Sequence, residues 1–242
     1  MQKENRKHGF LSMAALASLG ADGAEISERA YSLILGGMLT WGLALSAILL
    51  KLAGPAMLRV IYSNPSSYSG MAIGGLIVYF ALVFIGNGML RAGNLVSSLI
   101  GFHLIAVPVA LVASIGAAPY LSDTTVVFQA VCVTAVVTLA LMIAGTLAPN
   151  FFCRLGGGLA MALLAVCIYS LVAGMIFHTW MPGIDYVIIG IMALYIGFDW
   201  ARAHSVFRTA PNAIAAAAAL YLDIINIFLR VLRIIARSRS RD

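Results

Sequence analysis

Long apolar runs, separated by short polar or glycine-containing connectors, make up most of the chain. A helix that crosses a bilayer needs roughly 20 apolar residues, and seven segments of about that length follow one another. They lie at approximately 31–53, 70–90, 94–117, 124–147, 157–177, 184–199 and 211–235. The alternating strands of an outer-membrane barrel are missing from the pattern. Because a spanning helix satisfies its own backbone hydrogen bonds in lipid, the pattern predicts an all-α polytopic membrane protein, a seven-transmembrane-helix bundle at 31–235.

The composition supports this prediction. Of the 242 residues, 62% are hydrophobic and 10% are charged, whereas soluble domains carry about 25% charged residues. The connectors are too short for a soluble domain, so we predict only an N-terminal tail at 1–30, on the cytosolic side, and a basic C-terminal tail at 236–242. The start of the chain superficially resembles a signal peptide, but its apolar core is short and broken by serines.

The net charge of +6 does not indicate a nucleic-acid partner, because the basic residues lie at segment ends and in the tails. Membrane proteins place them there to set orientation. With the N-terminus inside, Arg91 and Arg202 fall on the inner side, and the connectors at 118–123 and 178–185, which hold acids but no basic residue, fall outside. The arginines after position 229 contradict this bias if the seventh segment crosses fully. The sequence therefore leaves the side of the C-terminus open.

Two acidic residues lie inside the apolar segments, Asp199 at the end of the sixth and Asp223 within the seventh. A carboxylate at bilayer depth costs about 2.5–3.5 kcal/mol on insertion scales, and such residues usually face a protein interior and mark an ion path or a proton relay. Only 24 residues separate the two, so adjacent antiparallel helices would bring them together. Two carboxylates in a low-dielectric site do not readily both ionise, and a shared proton would make the pair sensitive to pH.

Calcium is a second candidate occupant of the pair, because it prefers six to eight oxygen ligands. Asp199 and Asp223 would be its metal ligands. The candidate accessory polar groups of the site are Asn226, Tyr195, Tyr221 and Arg230. The remaining alternative is a hydrogen-bonded pair that only locks the bundle.

The polar positions Asp223, Asn226, Arg230 and Arg237 form one stripe along a helix of 3.6 residues per turn. Arg230 lies seven residues beyond Asp223, about 10 Å along the axis, so Asp223 needs a partner on another helix. Arg91 is expected on the same side of the membrane as Asp199. It is a candidate latch for that carboxylate, and an ordinary orienting charge is the alternative.

Enzymatic function has little support. The chain has no GxSxG or HExxH motif, its three cysteines lack metal-ligand spacing, and no lysine lies in a late segment where a retinal Schiff base would form. We therefore expect no catalytic residue and no bound cofactor, with calcium only as a permeant or weakly held ion.

The segments LYIGFDWARA and LYLDIINIFLRVLRII resemble the C-terminal signature of the Bax inhibitor-1 family, and the 24-residue spacing matches the bacterial calcium-leak members. More loosely, TAVVTLALMIAG with Phe151 and the following glycines is similar to the fourth helix of the family and the turn after it. The usual Lys-x-Asp-Leu-Ser is replaced by PNFFCRLG.

The resemblance implies a bundle whose last helix is central and wrapped by the other six. It also implies a pH-sensitive calcium leak channel of the bacterial inner membrane, with Asp199 and Asp223 as sensor and Arg91 as latch.

A second hypothesis that the resemblance allows is a non-enzymatic membrane regulator that binds a membrane protease or a stress-response partner. Proton-coupled transport ranks last, because the sequence has no inverted-repeat symmetry. Besides the bilayer, the expected partners are calcium ions, protons and, under the second hypothesis, a membrane protein.

Overall fold

The computed structural model of the chain describes residues 24–63, 68–121, 123–172 and 183–239. These residues form seven long α-helices, with one turn of 3₁₀-helix at Ala118–Tyr120. In chain order the helices are α1 (Glu28–Ser63), α2 (Tyr68–Leu90), α3 (Leu95–Ala117), α4 (Thr124–Leu147), α5 (Pro149–Val172), α6 (Gly183–Ser205) and α7 (Ala210–Arg239).

Each of the seven helices is long and apolar enough to cross a membrane, and the described residues contain no β-strand. Large apolar side chains such as Phe84 and Leu147 are exposed on the outside of the bundle. A soluble protein rarely presents such a surface, whereas lipid solvates it. The prediction of an all-α seven-helix membrane bundle is therefore confirmed.

Helix α7 is the central element. In its most apolar window 56% of the residues are buried, against 6–44% in the other six helices. Five helices pack on it, α1, α2, α3, α4 and α6, while α5 packs mainly against α6. The expectation that the last helix is central is thus confirmed, with α5 lying outside α6. Buried alanines at 213, 217 and 218 explain the close approach, because small residues let helix backbones come together in lipid.

Helix α5 begins at Pro149, eight residues before the predicted start at 157. Proline suits the first turn of a helix, where its missing N–H has no intrahelical partner. Phe152 is buried, and its ring fills the space that a side chain on Gly197 of α6 would need. The stretch PNFFCRLG, interpreted as a connector from the sequence, therefore belongs to the helix and packs it against α6.

The two ends of the bundle can be told apart by their contacts. At one end, the start of α1 and the residues just before it meet the end of α6 and the connector that follows. Ile26 N–H donates to the Arg208 carbonyl of the connector at 2.7 Å, and the Tyr31 hydroxyl of α1 donates to the Ala203 carbonyl of α6 at 2.7 Å. At the other end, Arg239 pairs with Asp123, the N-cap of α4, at 3.6 Å.

Helix α7 therefore runs the whole length of the bundle, about 45 Å for its 30 residues. Of the two alternatives left by the sequence, this favours complete crossing by the last helix, which puts its C-terminal arginines at the end opposite the start of α1.

Glycines set the closest helix contacts. A Cβ on Gly145 of α4 would lie 2.7 Å from the carbonyl oxygen of Gly197 on α6. Gly86 of α2 and Gly101 of α3 approach each other in the same way. A Cβ added to either glycine would lie within 2.8 Å of the carbonyl oxygen of the other. These positions are packing seams of the kind that small residues form in membranes.

Candidate functional site

The carboxyl groups of Asp199 on α6 and Asp223 on α7 lie close enough to interact with each other across the two helices. Asp223 is buried, with 7% of its surface exposed, and Asp199 is half-buried. The acidic neighbour of Asp223 thus lies on the adjacent helix α6. Two ionised carboxylates are both acceptors, so this contact is a hydrogen bond only when one of the two carries a proton.

The surroundings of the pair supply few donors. The Oδ2 atom of Asp223 is buried and accepts no hydrogen bond from any described residue. Tyr195 lies one turn before Asp199 on α6, within electrostatic range of both acids, and Arg202 lies near Asp199 at the helix end. The pair therefore leaves at least one buried carboxyl oxygen without a hydrogen-bond donor among the described residues, which is costly in an apolar interior.

Tyr221 does not face the pair. It is completely buried, and its hydroxyl lies 2.7 Å from the Ser46 hydroxyl of α1 and donates to the Ala106 carbonyl of α3 at 3.1 Å. The ring also fills the space beside Gly42, where a Cβ would come within 3.0 Å of it. Tyr221 thus joins α7 to α1 and α3.

Replacing Tyr221 by phenylalanine is expected to remove this link and to destabilise the bundle. Loss of a neutral buried hydrogen bond costs about 0.5–1.5 kcal/mol, or a fall of roughly 1–6 °C in melting temperature for a chain of this size. Thermal unfolding of the purified protein in detergent measures it. The matched control is Tyr186→Phe, at an exposed tyrosine, and a Tyr221→Phe protein as stable as this control would contradict the link.

The other accessory residues occupy different surroundings. Asn226 is half-buried, and its amide donates to the Leu222 carbonyl of its own helix at 2.9 Å. Arg91 lies in the turn between α2 and α3 and is exposed, and no ion pair of the described residues joins it to Asp199. Its role as a latch stays a prediction.

A second charged cluster lies at the far end of the same two helices. Asp185, in the first turn of α6, is completely buried. Its Oδ1 accepts from Arg230 at 2.8 Å and from Arg233 at 3.5 Å, and its Oδ2 accepts from Arg237 at 3.1 Å. We call these four residues the arginine clasp. It fastens the start of α6 to the last three turns of α7.

The clasp corrects one prediction and explains another. Asp185 was interpreted as part of the outer connector, but it belongs to α6 and is buried. Arg230, a candidate accessory residue of the acidic pair, binds Asp185 instead. The clasp also accounts for basic residues that contradict the orientation bias, since three of them surround a buried carboxylate. The spacing of these residues in the sequence could have predicted the clasp. Asp185 precedes Asp199 by 14 residues and Arg237 follows Asp223 by 14, so antiparallel helices that bring Asp199 beside Asp223 also bring Asp185 beside Arg237.

An apolar cavity of about 1140 Å³ lies apart from both clusters, between α1, α2 and α3. Among the described residues of its walls, two have polar side chains, Tyr79 and His103. Both ring nitrogens of His103 are engaged, with the Trp41 indole N–H at 3.0 Å and the Leu99 carbonyl at 2.8 Å. The described lining residues include no charged group and neither member of the acidic pair.

Within the described residues no group of three or more His, Cys, Asp and Glu side chains is arranged to hold a metal ion. The two carboxyl groups of the pair provide four oxygens. Calcium takes six to eight, so an ion at the pair would depend on water, backbone carbonyls or Tyr195 for the rest.

Fold and site together define a class: an integral, multi-pass membrane protein of seven helices, with a carboxyl pair between the last two. The chain belongs to the Bax inhibitor-1 family, because the family model described as inhibitor of apoptosis-promoting Bax1 matches it across residues 24–240. The resemblance of the last fifty residues thus extends over nearly the whole chain. No curated protein and no solved structure matches it.

Proposed function

We propose that the protein is a pH-sensitive calcium leak channel of a bacterial inner membrane, gated by Asp199 and Asp223. The observation that carries the proposal is the proximity of these two carboxyl groups on adjacent helices, with Asp223 buried inside the bundle. A buried acidic pair in a membrane protein marks an ion path or a proton relay by default. Membership of the family supports the proposal only at the level of a membrane protein of this type.

The pair provides a physical mechanism for gating. With one proton shared, the carboxyl groups attract each other and hold α6 against α7. When that proton leaves, two like charges about 4 Å apart repel by roughly 4 kcal/mol at an effective dielectric constant of 20. Either the helices separate or a cation takes the place of the proton. Because five helices pack on α7, a displacement of this helix is transmitted to most of the bundle.

Calcium flux into liposomes that contain the purified protein tests the proposal. Wild-type flux is expected to increase with pH, because loss of the shared proton both weakens the contact and provides negative charge for the cation. Asp199→Asn and Asp223→Asn should each lower the flux at least several-fold and abolish its pH dependence. In either variant the pair retains one carboxyl group and can no longer hold two negative charges. The control is Glu28→Gln, an acid with an exposed side chain. Wild-type flux and pH dependence in both aspartate variants would reject the proposal.

The alternative is a regulator that acts by binding a membrane protease or a stress-response protein. The description of the matching family, an inhibitor of an apoptosis-promoting protein, favours it. This alternative predicts no flux through the wild-type protein and a stable membrane partner after mild detergent extraction. The alternative would be excluded if the wild-type protein shows flux that depends on the acidic pair and no membrane partner is found.

A further inference from the structure

Two hydroxyl groups in the core of α4 have no hydrogen-bond partner within the described part of the chain. They belong to Thr134 and Thr138, whose side-chain oxygens are buried. A threonine in a helix commonly bonds the carbonyl four residues back, as Thr146 and Thr40 do here at 3.0 and 2.8 Å. Thr134 and Thr138 do not. A buried hydroxyl without a partner loses its hydrogen bonds to water and gains none in return, so each needs an explanation.

The two threonines lie on one face of α4. They continue a buried stripe that begins with Val126 and Ala130, with a spacing of four residues. The helices packed against α4 are chiefly α6 and α7, so this stripe faces the two helices that carry the acidic pair. Ser98, whose hydroxyl is also unpartnered, lies on α3 and does not belong to this face.

The position of the threonines along the bundle follows from the helix contacts. α4 and α6 begin at the same end, because Asp123 and Asp185 both pair with arginines of the last turns of α7. Gly145 packs against Gly197, which gives the register between α4 and α6. At 1.5 Å per residue, Thr138 and Thr134 lie about 10 and 16 Å from that contact, toward the start of α4.

On the same scale, Asp199 lies about 3 Å beyond Gly197 and Asp185 about 18 Å before it. The two hydroxyls therefore fall between the acidic pair and the arginine clasp. Together with the unpartnered Oδ2 of Asp223, they form a row of buried oxygens that extends along α4 and α7 from the pair toward the clasp.

We infer that Thr134 and Thr138 line the ion pathway between the acidic pair and the end of the bundle that holds the clasp. The inference rests on the proposed leak function and specifies its route. In this structure the two hydroxyls are buried away from solvent, which on the proposed function is the closed state. When the helices separate, water and the hydrated cation reach them, and hydroxyl oxygens suit a hard cation such as calcium. The unsatisfied hydroxyls thus disfavour the closed state and favour the hydrated one.

The first test is calcium flux through Thr134→Val, Thr138→Val and the double variant in liposomes. Valine keeps the shape and removes only the hydroxyl, so the bundle should be at least as stable as wild type in thermal unfolding. Flux should fall at least threefold in each single variant and at least tenfold in the double variant. Thr40→Val, at an exposed threonine whose hydroxyl bonds its own helix, should keep wild-type flux. Wild-type flux in the double variant would overturn the inference.

The second test does not depend on flux. In a background without native cysteines, Thr134→Cys and Thr138→Cys are treated in liposomes with a small charged thiol reagent, which reacts with thiols that water reaches. The controls are Val136→Cys on the exposed face of α4 and Ala217→Cys in the packed face of α7. Both threonine positions should react at least tenfold faster than both controls, and reaction no faster than the controls would overturn the inference.

The two tests separate failure of the route from failure of the function. Flux through wild type without labelling at 134 and 138 would reject this route and leave the leak function standing. Labelling at both positions with no wild-type flux would reject the leak function, and with it the assignment of these hydroxyls to an ion pathway.

Discussion

Replacement of Asp185 by asparagine is expected to destabilise the protein more than any other single change at a charged residue considered above. Asp185 is completely buried and accepts from three arginines, of which Arg230 is the most buried, with 17% of its side chain exposed. Removal of one partner of a buried ion pair costs about 3–5 kcal/mol, because the remaining charge loses its compensation. Asp185 also lies in the first turn of α6, where a negative charge interacts favourably with the positive end of the helix dipole.

The expected fall in melting temperature in detergent is roughly 6–20 °C, at about 2–4 °C for each kcal/mol. The matched control is Glu28→Gln, which breaks the exposed pair between Glu28 and Arg208 at 3.4 Å. Exposed pairs contribute about 0–1 kcal/mol, so this variant should unfold close to wild type.

A second variant distinguishes loss of charge compensation from a general loss of packing. Addition of Arg230→Gln to Asp185→Asn removes the most buried of the three positive charges together with its partner. If uncompensated charge is the cause, the double variant should be more stable than Asp185→Asn alone, as coupled residues are in a double-mutant cycle. If the Asp185→Asn variant is as stable as the Glu28→Gln control, the clasp does not hold α6 to α7.

The contact between Asp199 and α7 could be predicted from the sequence, because a short connector forces α6 and α7 to be antiparallel neighbours. The same rule predicts the clasp. It was missed because Asp185 stands so near the start of an apolar segment that it looked like a connector residue. Its burial depends on where α7 ends, and the basic composition of residues 236–242 suggested a tail there. The helix in fact continues to Arg239.

Tyr221 shows a different limit. It was predicted as an accessory group of the acidic pair, but successive helical residues are about 100° apart, so a separation of two residues places Tyr221 and Asp223 on opposite faces of α7. The unpartnered hydroxyls of Thr134 and Thr138 could not be inferred from the sequence at all. Whether a threonine bonds its own helix depends on its rotamer and on the neighbouring helices.

Replacement of Gly145 by alanine is expected to force α4 and α6 apart. A Cβ at this position would lie 2.7 Å from the carbonyl oxygen of Gly197 and 3.3 Å from the Trp200 ring. The first of these is backbone within a helix and cannot rotate away, so the helix axes must separate. Overpacking of this kind costs about 1–3 kcal/mol, a fall of roughly 2–12 °C in melting temperature.

Gly157→Ala is the matched control, because a Cβ there meets no atom within 4 Å and alanine is the better helix former. It should unfold at or above the wild-type temperature, and equal melting temperatures of the two variants would contradict the tight seam. The Gly145 variant also tests how the seam relates to the site. Gly197 is two residues from Asp199, so movement of α6 away from α4 changes the position of one carboxyl group relative to the other. Calcium flux in liposomes should then lose part of its pH dependence in Gly145→Ala and keep it fully in Gly157→Ala.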